Sequence, residues 1–125
     1  MNFSAKTRSM PKNKLLPDER TEQIALCQWL DIKRIDYFAI PNGGHRHLLT
    51  AIKLKQEGVK SGVSDMAIFL PDKILFLEMK KQKGGVQSDT QKAFEQIVSK
   101  YPYARYELAR GFVKAKEIIE KEIKR

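Results

Sequence analysis

The sequence predicts an α/β domain with its elements in the order α-β-α-β-β-α-β-α, and three observations carry that expectation. Apolar residues at helical spacing alternate along the chain with short runs of β-type residues. The runs Met66 to Leu70 and Ile74 to Leu77 are apolar at successive positions, the pattern of strands covered on both faces. Breakers such as Pro41-Asn42-Gly43-Gly44, Gly58 and Leu70-Pro71-Asp72-Lys73 separate the elements. At 125 residues the chain can bury one core without staples, so a single domain is expected over 17–125.

Residues 1–16 carry Lys6, Arg8, Lys12 and Lys14 with no acid and little apolar periodicity, and read as a basic, poorly ordered arm. A helix follows from about Pro17-Asp18 to Lys33, with a proline and acids in its first turns. Glu22 shares a face of it with Leu26, Trp29 and Leu30, so it points coreward at the edge of the apolar stripe. A first-turn glutamate also simply suits the helix dipole.

Ile35 to Ile40 is a short strand, closed by the double glycine Gly43-Gly44. Arg46 then stands at the start of a helix over Leu48 to Gln56, where an anion would be welcome. His45 and His47 lack the further ligands that a metal pair needs. Gly58 to Ser64 forms a loop, and the hairpin follows. Lys81, Lys83 and the glycines after them make a basic loop fit to lie along phosphates or simply to face water.

Ser88-x-x-Gln91 is a capping box for a helix from about Asp89 to Lys100, whose expected inner face is Ala93, Phe94, Ile97, Val98 and Tyr101. Tyr103 to Leu108 reads as the last strand. A charged amphipathic helix from Gly111 to Lys124 ends the chain, with Phe112, Ala115, Ile118 and Ile119 inward.

The 24 basic and 15 acidic residues leave a net charge of +9, which favours a polyanionic partner such as nucleic acid. One cysteine, Cys27, excludes an internal disulfide, and two histidines beside it fall short of a structural zinc set. No run reaches the roughly 20 apolar residues of a membrane helix, and no signal-peptide core is evident. A cytoplasmic protein without membrane attachment or small-molecule cofactor is expected.

The chemistry concentrates at the ends of the hairpin. A turn centred on Pro71-Asp72 pairs residues whose numbers sum to 143, so Asp65 stands opposite Glu78 with β-carbons roughly 4.5–5.5 Å apart. Lys80 projects from the same face as Glu78, and Met79 points the other way. Two carboxylates that close repel each other unless a divalent cation lies between them, and oxygen ligands suit Mg2+ or Mn2+. An acid followed by Glu-x-Lys is what a metal-dependent phosphodiesterase requires, with Lys80 beside the attacking water.

Glu22, Pro41-Asn42-Gly43-Gly44 with Arg46, Gly62-x-x-Asp65, Glu78-x-Lys80 and Gly85-x-x-Ser88-x-x-Gln91, taken in order, resemble the VRR-NUC family of the PD-(D/E)XK nuclease superfamily. The resemblance covers about Pro17 to Leu108 and is greatest to short stand-alone phage and prophage members. It implies a restriction-endonuclease-like core, a central mixed sheet flanked by helices. It implies that Asp65 and Glu78 bind the metal with the backbone carbonyl of Met79, and that Lys80 is the catalytic lysine. Glu22 would orient a metal-bound water or a second ion, and Gln91 would reach the site from the following helix. Asn42, Gly43, Gly44, Arg46, Lys81, Lys83 and Ser88 would contact or position DNA. Ser64 stands where the superfamily name has proline, a position that supplies no ligand.

The same resemblance implies a homodimer that cuts branched DNA such as four-way (Holliday) junctions, in the host cytoplasm if phage-encoded. The helix over Leu48 to Gln56 and the C-terminal helix are candidate interfaces. The alternative is a non-catalytic basic DNA-binding module in which the hairpin acids are structural. An RNA-binding protein would need exposed stacking aromatics, and Tyr37, Tyr101, Tyr103 and Tyr106 fall at expected core or strand positions.

Overall fold

A computed structural model describes residues 16–41 and 48–124. The basic arm up to residue 15 and the expected DNA contacts Asn42, Gly43, Gly44 and Arg46 lie outside the described residues, as do His45 and His47. The elements are α1 (Glu19–Lys33), β1 (Tyr37–Ala39), α2 (Leu48–Gln56), β2 (Met66–Phe69), β3 (Ile74–Lys80), α3 (Asp89–Val98), β4 (Ala104–Arg110) and α4 (Phe112–Ile123).

The strands form one mixed sheet in the order β1-β2-β3-β4. β1 and β3 both run antiparallel to β2, and β4 runs parallel to β3 after the α3 crossover. Pairing of Met66 with Leu77 and Ile68 with Leu75 gives the hairpin the register expected from its turn.

Alternation along the strands decides which face does what. Met66, Ile68, Leu75, Leu77, Met79 and Ala109 face one side and are fully buried against Leu26 and Leu30 of α1 and Ala115 and Ile119 of α4. The opposite face carries Phe76 and Tyr106, which meet Phe94 of α3 at ring separations of 5.4 and 6.0 Å. Asp65, Glu78 and Lys80 share this second face.

Glu122 of α4 is buried, accepts a hydrogen bond from Lys73 Nζ at 3.1 Å and lies 3.8 Å from Arg105 Nε. Those cations satisfy a carboxylate that would be costly to bury alone.

Three sequence expectations change. β1 spans only Tyr37–Ala39, an outer strand that among the described residues pairs with β2 alone. α3 ends at Val98 rather than near Lys100; Val98 is buried and Phe94 half-buried, but Ala93 and Ile97, and Tyr101 beyond the helix end, are exposed. A narrow helix over a flat aromatic floor needs only the 91-94-98 line against the sheet. The hairpin is not covered on both faces throughout, since Phe69 is 47% exposed beside Phe38 on the β1–β2 side of the second face. No helix of the described residues is long and apolar enough to cross a membrane.

Candidate active site

The ladder explains how Asp65 and Glu78 meet. The N–H of Ile40 donates to Asp65 O at 2.8 Å, so the backbone of Asp65 turns toward β1. Asp65 and Glu78 are therefore a non-hydrogen-bonded cross-strand pair, the type in which α-carbons approach to about 4.5 Å and side chains lie closest. β2 begins only at Met66, which leaves the Met79 N–H without a ladder partner. The Asp65 carboxylate supplies one, accepting that N–H through Oδ2 at 2.7 Å. The Met79 carbonyl turns to the same side of the strand as its N–H.

Glu78 is 3% exposed, and among the described residues its Oε1 is buried without a hydrogen-bond partner. Burial, a hydrogen bond with Asp65 and the charge of Asp65 push its carboxyl up to about 8, while Lys80 pulls it back. Lys80 offsets this only in part, so a bound cation would favour the ionised form. Among the described residues no third His, Cys, Asp or Glu joins the pair to make a ligand cluster. Two acidic side chains and a backbone carbonyl fit magnesium, which keeps several waters and takes substrate oxygens for the rest of its sphere.

Lys80 stands at the end of β3, half-buried, beneath Gly85. The loop behind it is held by Arg110, whose guanidinium donates to the carbonyls of Lys81, Gly84 and Gly85 at 3.2, 2.6 and 2.8 Å. Gly111 N–H donates to Lys80 O at 3.2 Å, so the lysine backbone is anchored from β4 as well.

Glu22 is buried, as its place on the apolar stripe implied. Its Oε2 accepts from Gln82 Nε2 at 3.3 Å and packs against Gly111. A turn earlier on α1, Glu19 feels Asp65, Lys80 and Lys81, and burial raises its carboxyl above the usual range. Glu19 thus belongs to the same electrostatic neighbourhood, and its i−3 spacing from Glu22 was the available signal.

Ser88 caps α3, and Gln91 completes the box: Ser88 N–H donates to Gln91 Oε1 at 2.9 Å, and Gln91 N–H donates to Ser88 Oγ at 3.2 Å. The amide oxygen of Gln91 is thereby committed to the cap. Gly62, at φ +83°, lets the loop before Asp65 lie directly on the α3 backbone at Thr90, where any β-carbon would collide. That close approach sets α3 beside Asp65. Lys81 and Lys83 are exposed on the loop that Arg110 holds.

Gln82, Arg110 and Gly111 carry no motif of their own, and only the packing reveals what they do.

No family model matches the chain, and no curated protein matches it. A solved structure described as a VRR_NUC domain protein superimposes with a TM-score of 0.70 at 23% identity, over 86% of this chain and 89% of that one. At that identity the likeness is one of fold: a four-stranded mixed sheet flanked by helices, as in a restriction-endonuclease-like core.

Proposed function

We propose that this protein is a divalent-metal-dependent endodeoxyribonuclease of the VRR-NUC type that works as a homodimer on branched DNA such as four-way junctions. The observation that carries the reading is the Asp65–Glu78 pair, with a buried oxygen on Glu78 that has no partner among the described residues and Lys80 on the same face. The fold likeness and the net charge of +9 support it.

Asp65, Glu78 and the Met79 carbonyl would hold Mg2+ or Mn2+. The ion would supply charge neutralisation at the scissile phosphate and acidify a water. Asp65 is aimed by the Met79 amide, so it needs no reorganisation when the substrate arrives. Lys80 Nζ would orient the attacking water and offset phosphate charge, a role its compact ammonium suits. Glu22, steadied by Gln82, and Glu19 would position further water around the site. Lys81, Lys83 and the start of α3 at Ser88 would meet the DNA backbone, with Asn42, Gly43, Gly44 and Arg46 as additional contacts.

The test is to incubate the purified chain with linear duplex, flap, hairpin and four-way-junction DNA, with and without Mg2+ or Mn2+. Metal-dependent cleavage that favours the junction is the expected result. Binding with a steep salt dependence and no cleavage under any metal would instead leave a DNA-binding module.

A further inference from the structure

Strand β4 is the last strand of the sheet, with β3 on one side and no described strand on the other. Ile74 N–H donates to Tyr103 O at 2.8 Å, and Gly111 N–H donates to Lys80 O at 3.2 Å. In a parallel ladder with those ends, the amides of Arg105, Glu107 and Ala109 turn toward β3, and those of Tyr106 and Leu108 turn outward. Among the described residues, nothing bonds the outward backbone groups of Tyr106 and Leu108. A groove of about 420 Å³ runs along this edge, between Glu95 and Val98 of α3, Ser99 at its C-terminal cap, and the strand from Ala104 to Glu107.

We infer that this edge pairs antiparallel with β4 of a second copy, across a two-fold axis at Tyr106. The inference rests on the homodimer proposed above and names its interface. The sequence Ala104-Arg105-Tyr106-Glu107-Leu108 has opposite charges on either side of Tyr106, so it is complementary to its own reverse. An axis at Tyr106 makes the two Tyr106 residues a hydrogen-bonded pair and sets Ala104 opposite Leu108, whose outward N–H can donate to the Ala104 carbonyl. It also sets each Arg105 opposite Glu107 of the other copy, giving two cross-strand ion pairs.

Other registers fail. An axis at Arg105 or Glu107 would set that charged residue opposite its own copy, a like-charge pair. An axis at Leu108 pairs no opposite charges. An axis at Ala104 needs an N–H that already donates to Tyr101 O at 3.2 Å.

Such an axis is perpendicular to the sheet, so both copies present Asp65, Glu78 and Lys80 on the same side of one eight-stranded sheet. Glu78 lies beside Leu108, one strand in from the edge and two residues from the axis. The two Glu78 residues then stand roughly 20 Å apart, on one face where a single branched nucleic acid can meet both.

The test uses charge complementation in the full chain, read by sedimentation equilibrium. The wild type should be dimeric. Arg105→Glu alone and Glu107→Arg alone should each weaken the dimer by about tenfold or more, since two favourable cross-strand pairs become repulsive. An equimolar mixture of the two variants should recover wild-type affinity as a heterodimer, because each charge then meets its opposite. The Arg105–Glu107 contact within one chain, at 2.9 Å, cannot produce that recovery.

Arg105 also lies 3.8 Å from the buried Glu122, so thermal melts accompany each variant. If Arg105→Glu unfolds, mixing Arg105→Cys with Glu107→Cys on a Cys27→Ala background should give a disulfide-linked heterodimer under mild oxidation. A dimeric wild type whose variants associate as tightly as it does, or a mixture that neither recovers nor cross-links, overturns this interface and leaves the homodimer standing. A monomeric wild type overturns the homodimer, and this interface with it.

Discussion

The Asp65 carboxylate accepts the Met79 backbone N–H at 2.7 Å, filling the place of a ladder bond that β2 begins too late to make. A side chain that completes a sheet is also held in one orientation, and here that orientation faces Glu78.

Asp65→Asn keeps an oxygen acceptor for Met79, whereas Asp65→Ala leaves the amide bare. Urea unfolding should find the alanine variant about 1–3 kcal/mol less stable, with the asparagine variant close to wild type. Both should lose DNA cleavage. An asparagine variant that cleaves at the wild-type rate would remove Asp65 from the chemistry.

Glu78 has its folded-state pKa raised to about 8 from an ordinary value near 4.5. The folded, metal-free protein therefore prefers the protonated acid, and the stability this contributes is complete below pH 4.5 and lost as pH rises through 8. Metal-free thermal melts should show Tm declining across that window, and Glu78→Gln should flatten the decline. Mg2+ favours the ionised carboxylate, so it should raise Tm more at pH 8 than at pH 6, and cleavage should increase over the same range. A Tm response to Mg2+ that is independent of pH would contradict this assignment.

The role proposed for Lys80 is to act on water rather than to anchor the duplex. Lys80→Ala should lower the cleavage rate by about 10²-fold or more while junction affinity, measured by filter binding, stays nearly constant. Lys80→Arg should not restore the rate, because the planar guanidinium cannot replace a compact ammonium. Parallel losses of affinity and rate would assign Lys80 to binding.

Gly111 has φ +93°, and a β-carbon there would run into the Glu22 carboxylate and lie 2.9 Å from Gln82 Cγ. Gly111→Ala should cost more than about 1 kcal/mol, from backbone strain and the clash together. Adding Glu22→Ala should return part of that loss, a coupling that a double-mutant cycle in urea would measure. Strictly additive effects would mean that the two residues do not share the space.

Arg110 ties three carbonyls of the loop after Lys80. Arg110→Ala should speed hydrogen exchange at Lys81 to Gly85 and reduce cleavage without altering the pH dependence set by Glu78. Unchanged exchange in the loop would show that it is held by other contacts.

Much of this arrangement was legible in the sequence because it is local. The hairpin register follows from a turn at Pro71-Asp72, and the pleat then sets Asp65 opposite Glu78 with Lys80 on their side. The Ser88–Gln91 box is a three-residue relation, and Glu22 reached the core edge through its own helix periodicity.

What only the tertiary structure decided lies beyond such ranges. Gln82 meets Glu22 across 60 positions of sequence, and Arg110 reaches Gly84 across 26. The parallel course of β4 puts Gly111 against α1, and the narrow contact of α3 leaves Ile97 and Tyr101 in solvent. Periodicity and turn geometry constrain neighbours along a chain. Which distant elements press together depends on how the whole apolar surface is buried, and the raised pKa of Glu78 exists only after that burial.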